Sequence, residues 1–220
     1  MALSNETLTK ALRYFAGSKV VADLQTLGEA ALAPRMEEQR LTVLFQNIDS
    51  FTSATPGLHP SEMHAWVQQY LEASTYYIAK HDGTTVQFFG DTVCAVFGLD
   101  QATAMEERAC ECACASSVAL DESADKLESE LGVRPSGRIG LHAQEVSVGI
   151  VGTNEHRQFS VLGDGVNFAS RLSALAKSYD VRVIATESTA ASWSRSHQLQ
   201  ALGDVRVKGK DDAISLVALR

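Results

Sequence analysis

The chain has 220 residues, 45% apolar and 21% charged, enough to bury one sizeable core and too apolar for a disordered chain. Its 27 acidic against 19 basic residues give a formal charge of -8, which argues against nucleic acid as a partner, since phosphate-backbone binding needs a net basic face. No run approaches the ~18 apolar residues of a membrane span, and the opening MALSNETLTK lacks a basic-then-apolar signal pattern, so the reading is a cytoplasmic chain with no membrane insertion.

Residues 6–30 place Leu8, Leu12, Phe15, Val20, Val21 and Leu24 at roughly helical spacing, and Pro34 then disfavours helical geometry at Ala33. Residues 1–38 therefore read as a helical lead-in and linker, and 39–220 as the main domain. From Leu41 to Ile48, Leu41, Val43 and Phe45 alternate while Leu44 and Ile48 take the other face, which predicts a first strand at least partly covered on both sides. Pro60 suits a first helical turn, and Met63, Trp66, Val67, Tyr70, Leu71, Ser74, Tyr77 and Ile78 keep helical spacing until His81, Asp82 and Gly83 stop it. TTVQFF and TVCAVFG flank Gly90 and Asp91 as a hairpin.

Residues 103–131 predict a helix rich in small side chains. It carries Cys110, Cys112 and Cys114, whose C-x-C-x-C spacing is not that of a zinc site; these thiols and Cys94 read as reduced core residues. RIGLHAQEVSVGIVG supplies one or two strands, VNFASRLSALAKS an amphipathic helix, VRVIAT a strand, and LGDVRVKG and AISLVAL two closing strands. The order is that of an α/β (α+β) fold with a ferredoxin-like βαββαβ core and appended strands and helices. In that topology the first and third strands are neighbours, so the loop at 47–52 faces the turn at Asp91. Oxygen ligands there suit a hard cation such as Mg²⁺, completed by substrate phosphates and water.

VLFQNIDSFT, VQFFGDTVCAVFG, RIGLHAQEVSVGIVG, FSVLGDGVNFASRL and VRVKGK, in this order from about Leu41 onward, resemble the catalytic domain of class III nucleotide cyclases. The resemblance implies conversion of a nucleoside triphosphate to its 3′,5′-cyclic monophosphate and pyrophosphate, with two Mg²⁺ or Mn²⁺ ions in a site shared by a homodimer. It implies metal positions at Asn47 and Asp91, and phosphate contacts from Arg138 and from the Ile48, Asp49, Ser50, Phe51 and Thr52 amides. From the other subunit come Asn167 orienting the ribose, Arg171 on the α-phosphate and Lys208 on the terminal phosphates, with Gln87 and Ser160 at the base-selecting positions. Asn167 and Arg171 stand at i and i+4, on one helical face.

The family has aspartate where this chain has Asn47, and the exchange removes one negative charge from a site meant for two dications. Asp49, two residues on, points the same way along a strand. Gln87 and Ser160 each donate and accept hydrogen bonds, so they suit either purine edge and do not bar a pyrimidine; ATP is favoured and GTP next. The alternative reading is a cyclase-like regulatory module that binds nucleotide or dimerises without turnover, or an Asp-to-Asn trapping variant of an active or pyrimidine cyclase. There is no P-loop, G-x-S-x-G elbow or H-E-x-x-H motif.

Overall fold

A computed structural model of the chain describes residues 4–49, 59–100, 103–132, 134, 136–206 and 213–220. Helix α1 (Asn5–Leu27) begins under Ser4, whose hydroxyl accepts the Thr7 N–H at 3.1 Å. A short 3-10 turn (Gly28–Leu32) leads to Ala33, extended as the following Pro34 requires. Strand β1 then starts at Arg35 and runs to Asp49, so it takes in the end of the stretch that reads as linker and the start of the stretch that reads as loop. Pairing is the reason: every residue from Arg35 to Asp49 has a partner on strand β4 (Ser136–Gly152), from Arg35 opposite Ile150 to Asp49 opposite Ser136.

Helix α2 (Pro60–Lys80) opens on a capping box in which the Glu62 carboxylate accepts the His59 N–H at 2.7 Å, with Pro60 in the first turn. It buries Trp66, Tyr70, Ser74 and Ile78, one per turn. Strands β2 (Thr84–Phe89) and β3 (Thr92–Phe97) form the expected hairpin, turning at Gly90, whose φ of 61 suits a residue without Cβ. Helix α3 (Met105–Leu131) buries Cys110 and Cys112 and half-buries Cys114. Burial pushes the Cys94 and Cys112 thiols up to about 12, and no cluster of three metal-ligating side chains occurs among the described residues.

Strand β5 (Arg157–Leu162) pairs with the far half of β4. Helix α4 (Asp164–Ser178), strand β6 (Val183–Thr186), the four-residue helix α5 (Glu187–Ala190) and strands β7 (Leu199–Arg206) and β8 (Ala213–Leu219) follow. The sheet order is β2-β3-β1-β4-β6-β8-β7, with β5 beside β4. Its first four strands are the ferredoxin-like arrangement, and the first and third strands are neighbours as expected. Leu44, Ile48, Ala95 and Leu141 bury against α2 and α3 on one face; Leu41, Val43 and Phe45 bury on the other, with Ala169 of α4. Helix α1 rests against β2 and β5. No described helix is long and apolar enough to cross a membrane.

Candidate active site

The strand registers assemble the first half of the site. Asn47 lies opposite Thr92 of β3 on one side and opposite Arg138 of β4 on the other, and Asp91 occupies the turn next to Thr92. Directly opposed residues project from the same face, so Asn47 and Arg138 stand together on the α4 side of the sheet. The turn is anchored by Phe89, whose ring stacks on Phe45 with centroids 6.5 Å apart.

Asn47 is half-buried, and its Oδ1 is buried without a hydrogen-bond partner among the described residues. A buried amide oxygen left this way is costly unless something electropositive meets it. Asp91, also half-buried, places Oδ1 3.5 Å from Thr92 Oγ1. One carboxylate and one orphaned amide oxygen fit one hard cation whose remaining ligands are phosphate and water. For two dications the described set is one charge short.

Arg138 is nearly buried, its side chain 12% exposed. Its Nη1 donates to the Val181 carbonyl at 2.5 Å and its Nη2 lies 4.0 Å from Asp180 Oδ1. Ile48 is a core residue at 3% exposure, and Ile48 and Asp49 are strand residues opposite Gly137 and Ser136, which corrects their placement in a loop. Ser50, Phe51, Thr52 and Lys208 lie outside the described residues.

The second half gathers elsewhere on the molecule. Ser160 on β5 is buried opposite Gly149, and Gln87 on β2 is half-buried opposite Cys94, just after a register shift at Val86. Strands β2 and β5 touch, and Val86 and Phe159 pack against the same apolar cluster, so Gln87 and Ser160 sit on neighbouring strands. Helix α4 buries Phe168, Ala169 and Leu172 and exposes Asn167 and Arg171. Neither exposed side chain makes a hydrogen bond or ion pair among the described residues.

Two supporting features have no counterpart in the sequence reading. Behind Asn47, the fully buried Gln46 amide donates to Ser74 Oγ and accepts from Ser116 Oγ at 3.0 Å, tying β1 to both α2 and α3. Beside it, burial pushes the Tyr70 phenol far above its ordinary pKa, the charge of Asp91 adds to this, and the hydroxyl has no hydrogen-bond partner among the described residues. The signal available was Gln46 itself, a polar residue between Val43, Leu44 and Phe45 on one side and, past Asn47, Ile48 on the other.

Residues 34–218 match the family described as the adenylate and guanylate cyclase catalytic domain. The chain belongs to this family. Among curated relatives of this cyclase domain, an adenylate cyclase of Rhizobium meliloti is 34% identical over 185 residues, covering 81% of this chain and 27% of the relative. An adenylate cyclase of Anabaena cylindrica is 30% identical over 193 residues, covering 83% of this chain and 37% of the relative. The cyclase domain thus spans well under half the length of either. A bacterial light-regulated adenylyl cyclase of known structure superposes with a TM-score of 0.82 over 97% of this chain and 62% of that one, at 23% identity, a likeness of fold.

Proposed function

We propose that the chain is a nucleotide cyclase that converts a nucleoside triphosphate, ATP first and GTP next, to the 3′,5′-cyclic monophosphate and pyrophosphate, in sites shared between two copies. The ribose 3′ oxygen loses its proton to solvent and forms a bond to the α-phosphorus, while the bond from that phosphorus to the bridging oxygen breaks and pyrophosphate leaves with the electron pair. Arg138 holds phosphate oxygens on one copy. The second copy's Asn167 orients the ribose, and its Arg171 stabilises charge that grows on the α-phosphate. Gln87 and Ser160 receive the base edge by hydrogen bonds that either purine can satisfy. Asn47 and Asp91 would hold Mg²⁺ or Mn²⁺, which when bound would supply Lewis acidity toward the phosphate oxygens.

The observation that carries this reading is the register that sets Asn47 and Arg138 opposite one another beside the Asp91 turn, while Asn167 and Arg171 face outward on α4. A lone chain thus presents two unfinished half-sites, and a C2 pair completes both. Two adenylate cyclases among the relatives support ATP. The test is incubation of the chain and an Asn47→Asp variant with ATP, GTP and CTP in Mn²⁺, with products separated by chromatography. Cyclic product is expected, and its absence from both proteins ends the reading. The neutral Asn47 favours a second reading, a nucleotide-binding or dimerising regulatory module without turnover. That module would bind triphosphate in EDTA, and robust turnover by the chain itself refutes it.

A further inference from the structure

A cavity of about 720 Å³ opens between α3 and the end of the sheet where β6 begins and β8 ends, well within the size range of small-molecule sites. Val118, Val183 and Leu219 supply apolar wall, and three guanidinium groups, Arg182, Arg195 and Arg220, reach it from three separate segments. The carboxylates in the lining are Glu111 and Asp180. Both Glu111 oxygens are occupied: Oε1 accepts the Trp193 indole N–H at 2.6 Å and Oε2 meets Arg195 Nη2 at 3.1 Å.

Among the described residues the arginines are only partly engaged. Arg195 uses Nη2 on Glu111, Arg182 uses Nη1 on Asp121 at 2.5 Å and on Ser136 Oγ at 3.3 Å, and Arg220 uses Nη2 on the Gln200 side chain. A guanidinium carries five N–H donors, so each keeps donors for a ligand, whereas Glu111 has no oxygen left uncontacted and the Asp180 carboxylate is fully exposed to solvent. Surplus donors over an apolar wall select a ligand with an anionic head and an apolar body.

The same wall is joined to the phosphate-contacting arginine. Arg138 donates to the Val181 carbonyl, and the next residue's amide, Ile139 N–H, donates to the Arg182 carbonyl at 2.8 Å. Asp180, between them and the end of α4, has φ 51, in the left-handed region. We propose that this cavity binds a small organic anion, a carboxylate or phosphate monoester with an apolar body, and that its occupancy shifts turnover by moving the 180–182 segment that anchors Arg138. The binding claim goes beyond the cyclase reading, and the coupling claim rests on it.

Benzoate, phenyl phosphate and neutral benzyl alcohol share a ring and differ in head group. Each is titrated by calorimetry, in EDTA, into the full chain and into Arg195→Ala and Val118→Glu, the latter an exposed rim position that places a negative charge without disturbing the core. Saturable binding of one or both anions, absence of binding by benzyl alcohol, and at least tenfold weaker binding in both variants at unchanged thermal stability are expected. Benzoate alone identifies a carboxylate, phenyl phosphate alone a phosphate monoester. No saturable anion binding, or variants that bind as the parent does, overturns the site. With ATP and Mn²⁺, the bound anion is expected to change kcat or KM at least twofold in the parent and in neither variant; binding without that change overturns the coupling. Calorimetry needs no turnover, so failure of the cyclase reading and failure of the site are separate results.

Discussion

Asparagine and aspartate at position 47 occupy nearly the same volume and differ by one charge, at a side chain whose oxygen sits buried and unmatched among the described residues. On the cyclase reading, Asn47→Asp restores the charge that two dications require. We expect kcat with ATP and Mg²⁺ to rise by about 10³-fold, equivalent to about 4 kcal/mol of barrier, measured as the initial rate of cyclic nucleotide formation. An unchanged rate would remove position 47 from the metal site. Arg171 makes the opposite case, because its side chain is exposed. Arg171→Ala should leave thermal stability within roughly 0.5 kcal/mol and lower kcat by about 10²–10³-fold with KM little changed, a split visible in steady-state kinetics. Both positions were legible in the sequence through the family resemblance, spacing adding only that Arg171 shares a helical face with Asn167. Gln46 was not, because its partners Ser74 and Ser116 lie 28 and 70 residues away and only the packing of α2 and α3 on β1 brings them together.

Among the elements, helix α4 depends on a close approach to β4. A Cβ on Gly140 would stand 2.4 Å from the Ala169 carbonyl oxygen and 2.4 Å from the Ser173 nitrogen, both backbone atoms that cannot rotate aside. The missing side chain therefore lets α4 settle onto β4 and fixes the height at which Asn167 and Arg171 emerge. Gly140→Val should cost about 1–3 kcal/mol, and a fall in Tm of roughly 2–10 °C in a scanning calorimeter would register it; an unchanged Tm would mean that α4 is free to lift. Helices α2, α3 and α4 and the β2–β3 hairpin were read correctly because each carries its own periodicity and punctuation. Strand β5 was not read, since Arg157 and Gln158 are exposed and the stretch has no alternation; its pairing with β4 alone makes it a strand. The same holds for the start of β1, where Met36, Glu37 and Glu38 are exposed yet paired. Apolar pattern reports burial, whereas backbone pairing can continue through polar residues.

At the scale of the whole molecule, the two half-sites assign different losses to different copies. On the proposed reading, Asp91 and Arg138 serve the triphosphate from one protomer, and Asn167 and Arg171 serve it from the other. An Asp91→Ala homodimer lacks a carboxylate in both sites, and an Arg171→Ala homodimer lacks the guanidinium in both, so each should be nearly inactive. Mixed dimers are different: in one site the two losses coincide, and the other site is intact. Random pairing of equal amounts makes about half of all dimers mixed, each with one working site of two, so activity should return to about a quarter of the parent value. The measurement is cyclic nucleotide formation after the two variants are unfolded together and refolded, against each refolded alone. If mixing restores nothing while each variant still pairs, the reacting groups come from a single chain, and the outward placement of Asn167 and Arg171 needs another cause.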